Sequence, residues 1–196
     1  MTPTSPPLFT VKGLRCFELG AEDVAELQRF FDVNPQYFFA VNGEAPSRDE
    51  AQEELQSELP AGWSYTKKWL LGFVNESNLL VGMANLVSDL LAPHVWHIGL
   101  FIVATARHGN GDAQILYRGL EDWVIRQGAH WLRLGVVEGN PRAEVFWQNA
   151  GFVQVRKRNG VEMGKRVNTL RVMAKPLSGG TLAEYLRLVV RDQSDL

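Results

Sequence analysis

Apolar residues recur at helical spacing at Val24, Leu27, Phe30 and Phe31, which predicts an amphipathic helix that ends near Asn34 and Pro35, after a strand over residues 14–19. A second helix is expected over residues 47–59, with Ser47 at its N-cap and Pro60 and Gly62 behind it. Its acidic positions, Asp49, Glu50, Glu53, Glu54 and Glu58, read as a solvated face. Two apolar runs, residues 69–74 and 79–87, flank a polar tetrapeptide and predict an antiparallel hairpin; residues 94–103 continue as a third strand. From Gly111 the pattern turns helical again through Leu116, Leu120, Trp123 and Val124 until Gly128 stops it. Leu132, Leu134 and Val136 then alternate as a strand. A short helix follows, with Asn140 as cap, Pro141 in its first turn and Gly151 past its end.

Two strands, residues 152–157 and 166–175, close the pattern around a loop that contains Asn159 and Gly160. The order of elements predicts an α/β chain with one mixed sheet of about seven strands and helices on both faces. In the tail, Thr181 and Glu184 form a capping box, and Leu182, Tyr185, Leu186 and Val189 share one face. That helix must dock on its own domain or on a second subunit, which leaves a homodimer open. The expected division is a flexible lead at residues 1–10, one domain at 11–176 and a helical extension at 177–196.

Composition narrows the function classes. The chain has 196 residues, 45% hydrophobic and 21% charged, enough for one domain with a full core. A net charge of −2 argues against nucleic acid as the partner, and Arg156, Lys157, Arg158, Lys165 and Arg166 read as hairpin surface. Cys16 is the single cysteine, so no disulfide framework and no metal site are expected. The first seven residues lack the basic and apolar regions of a signal peptide, and polar residues interrupt the apolar stretch around residues 79–92. The expectation is a soluble cytoplasmic protein without a membrane partner.

Candidate chemistry lies where the strand ending in Ile102 and Val103 runs into His108, Gly109, Asn110, Gly111, Asp112 and Ala113. Two glycines before a helix let successive N–H groups converge on one anion at the positive end of the helix dipole. A Walker A loop would need Lys and Ser or Thr after the second glycine, and Asp112 and Ala113 stand there instead.

This turn, together with Asn140, Ala143, Trp147, Gly151 and Phe152 downstream, resembles the acetyl-coenzyme A binding motifs of the GCN5-related N-acetyltransferase superfamily. The element order over residues 14–175 matches that fold. The resemblance implies that acetyl-CoA is the donor, with its pyrophosphate on the N–H groups of His108, Gly109, Asn110, Gly111, Asp112 and Ala113. The pantetheine arm would lie along Ile102 and Val103, with Asn140, Ala143, Phe146 and Trp147 on the far side. Arg107 and His108 could screen phosphate charge or simply face solvent. An N–H near Val103 would hold the oxyanion. The implied activity is acetyl transfer to a primary amine of a small molecule or protein, by direct attack and without a metal.

His97 is the first candidate for the base, with Asp89, Glu138 and a water relay as alternatives. Trp147 stands where many members carry a Tyr that can protonate the departing thiolate, and an indole N–H cannot serve as that acid. The acceptor site is expected between the first two helices, at Tyr37, Phe38 and Glu44, and at Glu162 by the later hairpin, with Asp89 as a further contributor. The competing reading is an acyl-CoA-binding or regulatory module that keeps the cleft without turnover.

Overall fold

The computed structural model describes residues 6–193. The first five residues of the lead and the last three of the tail lie outside the described residues. One sheet of eight strands organises the chain in the order β1-β2-β3-β4-β5-β6-β8-β7. The strands are β1 (Phe9–Val11), β2 (Leu14–Glu18), β3 (Lys67–Val74), β4 (Leu80–Ser88), β5 (Val95–Val103), β6 (Trp131–Val137), β7 (Val153–Met163) and β8 (Arg166–Pro176). All neighbours are antiparallel except β5 and β6, which are parallel and connected through a helix.

The additional strand is β1, three residues long and too short to show alternation. Lys12 and Gly13 join it to β2 with φ of 43° and 78°, the left-handed pair that a two-residue hairpin requires. Phe9 and Thr10, assigned above to the lead, therefore pair with Cys16 and Arg15, and Phe9 stacks on Trp123 at 5.9 Å.

Helices cover both faces, as the element order predicts. On one side lie α1 (Val24–Val33), α2 (Gln36–Val41) and α3 (Glu50–Gln56), whose Leu27, Phe31, Phe38 and Ala51 bury against Leu70, Met83 and Leu100. On the other lie α4 (Asp112–Arg126) and α5 (Pro141–Asn149), with Leu116, Leu120, Trp123 and Trp147 against Leu71, Phe73, Ile98 and Leu134. A third cluster forms under α6 (Leu182–Leu188), where Tyr185 and Val189 pack on Trp131, Val155 and Val172. The capping box of α6 is present, and the helix docks on its own sheet. Among the described residues no helix is long and apolar enough to cross a membrane.

Three local expectations are corrected. The chain between the first two expected helices contains α2, which puts Tyr37 and Phe38 on a helix rather than in a loop. The expected second helix starts later, at Glu50, because Ser47 opens a turn with its N–H donating to the Glu50 carboxylate at 2.9 Å. Asn159 and Gly160 do not form the hairpin loop either. They sit at a register shift inside β7, where Gly160 has φ of 69°, and pairing resumes from Val161 to Met163. An Asn-Gly pair supplies the left-handed residue of a bulge as readily as that of a turn. The reversal falls at Gly164 and Lys165, and the Lys165 N–H donates to the Asn42 carbonyl at 2.8 Å.

Candidate active site

Strands β5 and β6 pair only from Val95 to Ile98 against Trp131 to Leu134, although β5 runs on to Val103 and β6 to Val137. The divergence begins at a bulge: Asn85 and Leu86 of β4 oppose Leu100 and Ile98, which leaves Gly99 as the extra residue of β5. Such an insertion bends and twists its strand. Beyond it the Ala104 N–H donates to the Val81 carbonyl at 2.9 Å, so alternation turns the main-chain groups of Val103 and Phe101 away from β4 and into the gap. Ile102 faces the other way, its carbonyl against Gly82. The sequence reading that both Ile102 and Val103 offer main-chain groups to a ligand is therefore corrected: Ile102 contributes its side chain to the cleft wall.

At the end of β5 the glycine-bracketed turn opens α4. Gly109 and Gly111 have φ of 85° and 81°, and a side-chain carbon at either would meet nothing within 4 Å. Conformation, rather than crowding within the chain, selects glycine here. The N–H groups of residues 109–114 carry no hydrogen bond among the described residues, so six donors gather at one helix N-terminus. The flanking side chains are occupied elsewhere. The His108 Nε2 meets the Val103 carbonyl at 2.8 Å, and Arg107 pairs with Asp112 at 2.8 Å. His108, Arg107 and Asp112 thus shape the turn and leave its main chain open, while Asn110 is exposed at the tip.

A cleft of about 560 Å³ runs from this turn to the gap, lined by Tyr37, Ile102, Val103, His108, Gly109, Gly111, Ala113, Asn140, Ala143, Phe146 and Trp147. Asn140 caps α5, accepting from the Ala143 N–H at 3.2 Å, and borders the cleft as well. Trp147 is buried among Phe101, Tyr117, Phe146 and Phe152, with ring centroids 4.8–5.7 Å away. It also borders the cleft.

A second pocket of about 270 Å³ shares Tyr37, Phe101, Asn140, Ala143 and Trp147 with the first, so the two meet through the gap. His97, Gly99, Arg133, Leu170 and Val172 lie along its sheet side, and Trp63, Arg158 and Met163 complete its walls. His97 is a poor base in this setting. Burial and the Arg133 guanidinium, 3.4 Å from Nδ1, hold its pKa down to about 3, so it is neutral near pH 7 and binds a proton weakly. Arg133 is itself fixed from the C-terminal side. Asp192 accepts from its Nε at 2.6 Å and from its Nη2 at 3.0 Å, and the Tyr185 hydroxyl donates to the same carboxylate at 2.5 Å.

The remaining expected acceptor residues scatter. Tyr37 borders both pockets, and burial together with Glu54 and Glu50 pushes its hydroxyl pKa up. Phe38 is corrected to a core residue, packed edge-on against Phe31 at 5.1 Å. Glu44 pairs with Lys165 at 3.0 Å, Asp89 accepts from the His94 N–H at 2.7 Å, and Glu162 lies opposite Val167. None of these three borders either pocket. Glu138 is held by Lys157 at 2.6 Å and Arg171 at 2.7 Å, which lowers its carboxyl pKa, and it borders neither pocket.

Sequence reasoning passed over Glu54, Asn85, Trp63, Arg133 and Arg158. Glu54, counted with the solvated face of its helix, turns inward: Asn85 donates its amide N–H to the carboxylate, and burial raises the carboxyl pKa. Glu54 follows the buried Ala51 by three residues, which is the spacing that could have flagged it.

The acetyltransferase (GNAT) family model matches residues 25–152. Solved structures share the fold. A GCN5-related N-acetyltransferase from Kribbella flavida superposes with a TM-score of 0.61 at 23% identity, over 85% of this chain and 99% of that one. A spermidine N-acetyltransferase from Vibrio cholerae, in complex with CoA and spermine, gives 0.66 at 18% identity over 85% and 96%. An acetyltransferase from Thermus thermophilus gives 0.63 at 22% over 86% and 100%. No curated protein matches the chain. With a family match across most of its length and an interrupted sheet that ends in a main-chain anion nest, the chain belongs to the GNAT acetyltransferase family.

Proposed function

We propose that this chain is an acetyl-CoA-dependent N-acetyltransferase acting on a primary amine by direct attack. The observation that carries the reading is the run of unpartnered N–H groups at residues 109–114, set at the end of a gap in the sheet. The pyrophosphate of the donor fits that nest, and main-chain groups of Phe101 and Val103 suit the amides of an extended pantetheine arm. Asn140, Ala143, Phe146 and Trp147 close the other side.

The neutral amine enters through the second pocket and attacks the thioester carbonyl. Its nitrogen forms the new C–N bond, the C–S bond breaks, and the thiolate leaves to be protonated by solvent. The Val103 N–H stabilises the oxyanion. Glu54 borders neither pocket but is linked to the site through Asn85, which lies against Gly99, and it accepts the ammonium proton of the tetrahedral intermediate through water; its raised pKa suits that task better than the depressed one of His97.

Calorimetry should give saturable one-to-one binding of acetyl-CoA, weakened at least tenfold by Gly111→Asp. Aspartate tolerates the left-handed backbone but brings a negative charge to the nest. Absence of saturable binding by the wild type would overturn the reading. Trp147 and His97, neither of which can carry a proton in the step, favour one alternative: a binding module without turnover. Thiol release across a panel of primary amines separates the two.

A further inference from the structure

The acceptor pocket is electrically lopsided. At its β7 end the register sets Arg156 opposite Val172 and Arg158 opposite Leu170, and both β8 residues border the pocket. Arg191 lies over the Trp63 ring at 4.2 Å, and Arg133 stands 5.9 Å from the same ring. Asp192 is committed to Arg133 through both of its oxygens. Arg156 donates to the Arg191 main-chain carbonyl, which carries no full charge. Among the described residues neither Arg156, Arg158 nor Arg191 has a carboxylate within ion-pair distance. The charges acting on Arg191 are those of Arg133, Arg156, Arg158 and Asp192, so four guanidiniums share one carboxylate.

We infer that the acceptor is a small amine bearing a carboxylate, such as a free amino acid, whose carboxylate binds Arg158 while its amino group lies toward Gly99 and the gap. This rests on the donor reading above. A guanidinium fork matches a carboxylate with two parallel hydrogen bonds, and a pocket of about 270 Å³ accommodates a ligand of amino-acid size. The same surplus of positive charge repels a polyamine. Arg158 is half-buried and unpaired, so its truncation removes a ligand contact without orphaning an internal partner.

The test uses the full chain loaded with CoA and matched probes: leucine against isopentylamine, phenylalanine against 2-phenylethylamine, and spermidine. Binding is measured by calorimetry, and thiol release is measured with acetyl-CoA. The preference for an amino acid over its decarboxylated amine is compared between proteins at one pH, so the intrinsic basicity of each amine cancels. The expected result is a preference of at least tenfold in the wild type that collapses toward unity in Arg158→Ala and partly returns in Arg158→Lys. Arg118→Ala, on the exposed side of α4, should leave it unchanged. An unchanged preference in Arg158→Ala, tighter binding of spermidine, or no binding of either amino acid to a protein that does bind CoA would overturn the inference. Failure to bind CoA would instead overturn the donor reading, and this inference with it.

Discussion

An imidazole beside a guanidinium resists protonation, and His97 should report that in the acid stability of the fold. In the unfolded chain it takes up a proton near its ordinary pKa of 6.5; in the folded protein the value falls to about 3. Between those values the unfolded state binds the additional proton, so the folded state loses stability as pH falls through this window. His97→Gln should flatten this part of the profile, as read by thermal unfolding from pH 7 to pH 4. The shape of the rate profile between pH 6 and 9 should not change, since His97 is neutral throughout that range. A rate profile that loses its acidic limb in His97→Gln would restore His97 as the base. Sequence supplied a histidine at a suitable strand position; only the fold set Arg133, from a neighbouring strand, beside it.

Helix α6 reads as an appendage in the sequence, yet the turn after it supplies Asp192 to a buried cation. Arg133 and Asp192 are almost wholly enclosed, with side-chain exposures of 4% and 1%. Removing one partner of such a pair leaves a buried charge uncompensated, at a cost of about 3–5 kcal/mol. Asp192→Ala should therefore lower the unfolding free energy by that order in urea denaturation, and Arg133→Met combined with Asp192→Leu should recover most of it. A loss below about 1 kcal/mol would mean that water reaches Arg133. The amphipathic stripe and capping box made the helix legible, whereas the ion pair spans 59 residues and left no local trace. The bulge in β7 was hidden for a related reason. Asn159 and Gly160 announce a left-handed residue, and pairing with β8 decides whether the chain reverses there.

The order of strands and helices could be read from periodicity because each long element buries one face, and the walls of the larger cleft could be read because their signals are local glycines and caps. The second pocket could not. Its walls come from α2, the chain around Trp63, the four strands β5 to β8 and α5, spread along the chain from Tyr37 to Val172. Phe38 and Glu44 illustrate the difficulty: both fall in the right region of the chain, and one turns into the core while the other pairs with Lys165.

The short pairing between β5 and β6 has a mechanical consequence. Among the described residues the ladder between β5 and β6 has four residue pairs, extended only by the bonds of the His130 and Trp131 N–H groups to the His94 carbonyl. A sheet with so short a seam is expected to flex there as two plates, and under the proposed function the donor in the gap supplies the missing rung between them. Hydrogen exchange at the amides of residues 95–98 and 131–134 should slow when acetyl-CoA binds, although none of these amides borders the glycine-bracketed turn. Exchange unchanged at the seam would mean that the plates are already locked. Slowing would mean that release of the product thiol and loosening of the sheet are one motion.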